Sequence, residues 1–282
     1  MKKILVIGSG IMGAGIAQAC AQSGFHVAMM DVDQEALERA MEAISWSLRK
    51  LAKKTKPKEP YEDIISRIEK SKSLECGRDT ALVIEAISEN LEAKQTIFKT
   101  LEETCPDQTI LASNTSSLPI TEIASVVKSP GRVVGIHFFN PVHRMKLVEI
   151  VKGLRTSDAT VDFAKKFVIS LGKEPVVVNQ DIAGFIVNRI NGMALLEALR
   201  LLERGIASVE DIDKAMRFGL GHPMGPFELM DLVGLDVVLN ARMGIYNETQ
   251  NPTHHPPPIL RRMVKAGRLG RKTGRGFYDY ST

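Results

Sequence analysis

Short unbroken apolar runs alternate with longer stretches of helical periodicity through the first two-thirds of the chain. The apolar runs at 3–7 (KILVI), 26–30 (HVAMM), 81–85 (ALVIE), 109–112 (TILA), 132–137 (RVVGIH) and 175–178 predict buried strands. Between them, 11–23, 34–55, 61–70, 91–104 and 158–171 repeat their apolar residues at helical spacing. Pro57 and Pro60 close the long pattern at 34–55, and 61–70 reads as a second helix lying back on it. Such alternation predicts a mainly parallel sheet, doubly wound, with helices on both faces. After Asp181 the strand-like runs cease. Helical patterns at 184–204, 208–217, 228–248 and 257–266 follow, with a Pro-rich loop at 250–258 (QNPTHHPPP) and a Gly- and Arg/Lys-rich loop at 267–276. The expected architecture is an α/β domain over 1–182, with a helical hairpin insertion near 34–70, then an all-α domain over 183–282.

Composition adjusts this picture little. A chain of 282 residues, 44% hydrophobic and 25% charged, has room for two ordinary globular domains. No apolar run approaches the ~20 residues that span a membrane. The run after Met1 is too short for a secretory leader and leads straight into glycines, so it reads as a first strand. The net charge of +4 is mild. Its densest patch is Arg49, Lys50, Lys53, Lys54, Lys56 and Lys58, without the interleaved aromatics of a nucleic-acid platform. Such a patch is a solvated helix face or meets a phosphorylated ligand. Cys20, Cys76 and Cys105 form no C-x-x-C pair, which suits a reducing, cytoplasmic setting. His143, His222, His254 and His255 lack metal-ligand spacing, so no metal is expected.

Gly8-Ser9-Gly10-Ile11-Met12-Gly13 follows the first strand and opens a helix. That context gives the G-x-G-x-x-G pattern its meaning as a Rossmann-type dinucleotide fingerprint. Gly8 permits the turn, Gly10 lets the backbone approach a pyrophosphate, and Gly13 lets helix pack on strand. Ile11 and Met12 lie in the helix N-terminus on which the pyrophosphate rests. Asp31 ends the second strand, where a carboxylate accepts bonds from ribose hydroxyls and repels a 2′-phosphate. The first arginine beyond it is Arg39, so NAD is favoured over NADP. Asp31 could instead cap the next helix, but Asp33 is better placed for that.

His137 is placed at the C-terminal end of a parallel strand, the edge where open α/β sheets bind ligands. A neutral imidazole there can take the hydroxyl proton of an alcohol as hydride leaves carbon. Glu149, in LVEI, can hold the other ring nitrogen, the orienting logic of a Ser-His-Asp triad. Spacing alone leaves a core histidine and a catalytic one equally open.

The run HFFNPVHRMKLVEI resembles the signature of the 3-hydroxyacyl-CoA dehydrogenases, in the form of the short stand-alone bacterial 3-hydroxybutyryl-CoA dehydrogenases. VIGSGIMGAGIAQ, EAISENLEAKQTIF, ILASNTSSLPIT, DIAGFIVNRI, GLGHPMGPFELMDLVGLD and GRKTGRGFYDY extend the resemblance over essentially the whole chain. It implies His137 as general base and, in reverse, acid, with Glu149 as its carboxylate partner. It implies that Ser116 hydrogen-bonds the substrate 3-oxygen and that Asn188 faces substrate and cofactor from the helical domain. It places Glu89 near the nicotinamide end and Asn114 among the cofactor-binding residues, and it makes Lys50, Lys53 and Lys54 candidates for holding CoA phosphates. Each has a plainer reading. Ser116 and Ser117 could cap the helix after Pro119, Glu89 could cap the helix at 91–104, and Asn188, read as lying in a helix interior, could make a structural hydrogen bond.

The implied activity is reversible NAD-dependent oxidation of an (S)-3-hydroxyacyl-CoA, 3-hydroxybutyryl-CoA by default. A two-domain dehydrogenase for a non-CoA 3-hydroxy acid is the alternative, against which the basic patch speaks mildly. A redox-sensing DNA-binding regulator would need a nucleic-acid module, and none is legible. The apolar helices at 184–204 and 228–240 hold more hydrophobic surface than a small domain leaves exposed, so a homodimer through the helical domain is expected.

Overall fold

The structure is a computed structural model that describes residues 3–53 and 59–281. In chain order the first part runs β1 (Lys3–Ile7), α1 (Ile11–Gln22), β2 (His26–Met30), α2 (Gln34–Ala52), α3 (Tyr61–Ser66), β3 (Ile68–Ser71), β4 (Thr80–Glu85), α4 (Leu91–Thr104), β5 (Ile110–Ser113), α5 (Ile120–Ile123), β6 (Val133–Phe138), β7 (Leu147–Val151), α6 (Asp158–Ser170) and β8 (Glu174–Val178). The rest is helical: α7 (Val187–Glu203), α8 (Val209–Leu220), α9 (Pro226–Val233), α10 (Leu235–Thr249) and α11 (Pro258–Lys265). The chain divides into two compact units that meet in sequence at Ile182 and Ala183. No helix among the described residues is long and apolar enough to cross a membrane.

The eight strands form one sheet in the order β3-β2-β1-β4-β5-β6-β7-β8. β3 through β6 are parallel neighbours along that order, and only the β6–β7 pair is antiparallel. The order reverses between β1 and β4. There the loops leaving the two strands part to opposite sides and open the crevice in which such sheets bind ligands. The central strands are buried nearly throughout, and their unbroken apolar runs were legible for that reason. The second unit has its own core, which includes Leu196, Leu199, Phe227, Met230, Leu235 and Leu260.

Three elements differ from expectation. The segment 61–70 is not one helix: α3 ends at Ser66 and Ile68–Ser71 pairs with β2 as an edge strand. An edge strand buries little. Only Ile68 of its four residues is buried, so IEKS carries no strand pattern. β7 was not anticipated either, because the carboxylate of Glu149 interrupts its apolar run. The pattern at 228–248 is two helices, parted by Gly234 at φ +103°. An isolated glycine within a helical pattern is tolerated in sequence terms, but this one occupies a conformation no helix allows.

Candidate active site

Gly8 has φ +94°, and a Cβ on it would lie 2.6 Å from the Ala86 carbonyl oxygen. A Cβ on Gly13 would overlap the Gly8 carbonyl. Both positions therefore admit only hydrogen, which lets α1 start directly against the β1 turn. Gly10 caps α1 with extended backbone and no side-chain cap, and nothing lies within 4 Å of where its Cβ would be. The N–H groups of the first turn thus open onto free space, as a pyrophosphate requires. Ile11 and Met12 follow in that turn, Ile11 exposed.

Asp31 lies beside this cradle. Its Oδ2 accepts from the Ser9 N–H and hydroxyl, each at 2.8 Å, and its Oδ1 accepts from the Asp33 N–H at 3.1 Å. Burial pushes its pKa up, but these bonds outweigh it and hold the carboxyl below the usual aspartate value. It stays charged and braces the glycine loop. Asp33 caps α2 by accepting from the Glu35 N–H. The cradle and its acidic rim fit an NAD.

The loops leaving β4 and β5 are joined by a network whose buried end, Glu85 and Lys94, the sequence reading did not single out. Glu85 (0% exposed) ends β4 and forms an ion pair with Lys94 (1% exposed) of α4 at 2.7 Å. Glu85 also accepts from the Ile87 N–H and, at 2.6 Å, from the Ser113 hydroxyl. Lys94 reaches Glu89 at 3.4 Å. Glu89 in turn accepts from the Thr115 hydroxyl at 2.6 Å, the Ser116 N–H at 3.0 Å, and the Ser117 N–H and hydroxyl. Burial opposes its ionisation, but Lys94 and these donors hold its carboxyl below the usual glutamate value. The α4 cap is Asn90, so Glu89 does not serve there. Ser116 and Ser117 likewise do not cap α5, whose N-cap is Pro119. The Ser116 hydroxyl makes no hydrogen bond among the described residues. Asn114 ties this loop to the histidine strand: its Oδ1 accepts from the Phe138 N–H at 2.9 Å.

His137 and Glu149 stand opposite each other across the antiparallel β6–β7 pair. His137 Nδ1 lies 2.8 Å from Glu149 Oε2, and both side chains are buried. A carboxylate only accepts, so Nδ1 carries the hydrogen and Nε2 is the basic nitrogen. The Phe139 ring packs against the imidazole, with centroids 4.5 Å apart. His137 sits beyond Gly135, the partner of Ser113, at the same sheet edge as Gly8, Ala86 and Asn114. The arrangement is an oriented proton acceptor beside a dinucleotide cradle, which suits hydride chemistry on an alcohol.

Asn188 belongs to the second unit and stands in the first turn of α7 rather than a helix interior. Gly184 at φ +76° and Phe185 at φ +45° delay the start of α7, so the apolar pattern begins earlier than the helix does. The Asn188 carbonyl accepts from Arg242 at 2.8 Å. Lys50 and Lys53 are exposed at the end of α2; Lys54 lies outside the described residues. The Lys50 ammonium sits 4.5 Å from the ring centroid of Trp46, which is 61% exposed. One helical turn thus brings an aromatic face to the basic patch that a linear reading left without one.

Residues 3–182 match the family model "3-hydroxyacyl-CoA dehydrogenase, NAD binding domain", and 184–280 match "3-hydroxyacyl-CoA dehydrogenase, C-terminal domain". The chain is 47% identical over 281 residues to the probable 3-hydroxybutyryl-CoA dehydrogenase of Bacillus subtilis, covering 99% of this chain and 98% of that protein. It is 45% identical over 280 residues to the 3-hydroxybutyryl-CoA dehydrogenase of Clostridioides difficile, covering 99% of each. The crystal structure of (S)-3-hydroxybutyryl-CoA dehydrogenase from Ralstonia eutropha superposes with a TM-score of 0.95 at 41% identity over all of both chains. With an NAD-fitting glycine cradle in place and both halves matched, the chain belongs to the 3-hydroxyacyl-CoA dehydrogenase family and is an NAD-dependent oxidoreductase.

Proposed function

We propose that the chain catalyses reversible oxidation of (S)-3-hydroxyacyl-CoA to 3-oxoacyl-CoA, with 3-hydroxybutyryl-CoA as the default substrate. The observation that carries this reading is the buried His137–Glu149 pair at 2.8 Å, at the sheet edge that also bears the glycine cradle. Bound NAD supplies the hydride acceptor. His137 Nε2 takes the 3-hydroxyl proton as hydride departs, and returns it when the reaction runs backwards. Glu149 keeps the proton on Nδ1 and stabilises the imidazolium that forms. The uncommitted Ser116 hydroxyl donates to the substrate 3-oxygen, and Asn188 is the asparagine that meets the substrate. Glu89 serves the nicotinamide end of the cofactor, and Asn114 also contacts the cofactor. Lys50, Lys53 and Lys54 hold CoA phosphates, for which the strongly hydrated point charge of lysine suits a ligand that must also leave. The working form is a cytoplasmic homodimer assembled through the helical unit.

The test is NADH oxidation with acetoacetyl-CoA, beside free acetoacetate and beside NADPH, for wild type and His137→Gln. Expected are turnover of the thioester with NADH and a loss of roughly 10²–10⁴-fold in the variant. Turnover of free acetoacetate but not the thioester would move the assignment to a non-CoA 3-hydroxy acid. A folded variant at full rate would remove His137 from its role.

A further inference from the structure

Between β6 and β7 the chain makes a loop, 139–146, whose shape decides which residue of β7 faces His137. A two-residue slip would move Glu149 away from the imidazole altogether, and a one-residue slip would turn it to the other face of the sheet. Inside the loop the Arg144 and Met145 N–H groups both donate to the Pro141 carbonyl, at 2.9 and 3.0 Å. Those bonds curl the loop but do not anchor it.

The anchor comes from outside. Lys173 lies between α6 and β8, and its ammonium donates to the Val142 carbonyl at 2.6 Å and the Met145 carbonyl at 2.7 Å. The residue is 8% exposed, and no carboxylate among the described residues lies within ion-pair distance of it. A cation buried without an acid carries a desolvation cost that a lysine at the surface avoids. That burial holds the ammonium below the usual lysine value, with Cys20 of α1 as the nearby group opposing it. A solvated surface would place Lys173 elsewhere; here it is turned inward onto two loop carbonyls that have no other donor among the described residues.

The same loop is seated on the cofactor helix. Val142 is buried, and a Cβ at Gly15 of α1 would come within 2.9 Å of its Cγ2. The next residue after Lys173 continues the clamp: the Glu174 N–H donates to the Lys146 carbonyl at 2.9 Å and starts the β7–β8 ladder. One side chain therefore fixes the middle of a loop that touches α1 on one side and sets the register of β6 and β7 on the other.

We propose that Lys173 is a positioning residue for the reaction: it locks the 139–146 loop, and through it keeps Glu149 opposite His137 and the histidine strand in place against α1. The proposal rests on the reading of His137 as the general base. It predicts a specific pattern. Lys173→Met, which fills the same space without donors, leaves both carbonyls unbonded and lets the loop relax. Loss of correct placement then lowers kcat for acetoacetyl-CoA on the order of 10–100-fold, while KM for the thioester changes far less. Lys173→Arg, which keeps the charge and more than one donor, recovers most of kcat.

The experiment measures kcat and KM for wild type, Lys173→Met and Lys173→Arg, and records the imidazole Nδ1–H proton resonance of each folded protein by NMR. A downfield Nδ1–H signal from the His137–Glu149 bond is expected in wild type and Lys173→Arg, and is expected to be shifted or absent in Lys173→Met. A folded Lys173→Met with wild-type kcat, or with the wild-type resonance, overturns the proposal. So does a fall in kcat that Lys173→Arg does not repair. If Lys173→Met does not fold, Lys173→Gln, which keeps amide N–H donors on a shorter, uncharged side chain, takes its place, with an intermediate kcat expected and unchanged kcat counting against the idea. Wild type that ignores the thioester defeats the substrate assignment, but the resonance comparison still judges Lys173.

Discussion

Lys94 and Glu85 are buried to within a per cent and bonded at 2.7 Å, so neither charge has water to fall back on. Removing one partner leaves the other stranded. Lys94→Met should therefore destabilise the protein by about 3–5 kcal/mol, while replacing both residues by apolar ones of similar volume should recover much of that loss. Urea unfolding of both single variants and the double variant measures it; a double-variant loss equal to the sum of the two single losses would mean the pair is not coupled. Glu89 adds a pH dependence of known sign. Its carboxyl is held below the usual glutamate value, despite burial, by Lys94 and the donors of Thr115, Ser117 and Ser116. The folded state thus prefers it ionised. The stability it lends is complete above the ordinary glutamate range, and drains as pH falls through that range and below it. Between pH 6 and 3, stability should fall less steeply in Glu89→Gln than in wild type. At this scale the sequence singled out residues whose neighbours form motifs: the glycines, His137 and Glu149. It did not disclose Glu85, Lys94 or Lys173. A carboxylate ending a strand and a lysine on a helix look like ordinary surface groups until the fold brings them inside.

Gly234 separates α9 from α10, and its φ of +103° is one that side chains rarely adopt. A Cβ there would also crowd Asp236 Oδ1 and Lys272 Nζ, at 3.0 and 3.1 Å. Gly234→Ala should cost about 1–3 kcal/mol, chiefly as backbone strain. Thermal unfolding checks it, and a neutral result would mean the two helices can merge. Element by element, legibility followed burial. Strands buried on both faces announce themselves as apolar runs, whereas β3 buries one residue of four and β7 carries an acid at its centre. The break at Gly234 was hidden because α9 and α10 share one continuous apolar pattern, and only the backbone angle tells them apart.

At the scale of the molecule, the helical unit leaves Ile190, Ile206, Phe218 and Leu220 exposed, with Phe218 at 80%. Large apolar side chains held in water on one small unit favour a partner surface. The proposed dimer should give way to monomer in Phe218→Glu, read by light scattering after gel filtration. A wild type that is already monomeric at micromolar concentration would refute the dimer. The division into two units was visible in the change from alternating to purely helical patterning, since each unit buries a core of its own. The dinucleotide cradle is assembled from distant parts of the chain: Ser9 meets Asp31, and Gly8 abuts Ala86. The antiparallel turn between β6 and β7 works the other way. Parallel neighbours need a crossover of a dozen or more residues, but this reversal puts acid and base on one short, contiguous stretch. The pair is a contact of low sequence separation, with little loop-closure entropy to overcome. After a local opening it should re-form ahead of the cofactor cradle, so the pair proposed to handle the proton is the quicker part of the site to heal.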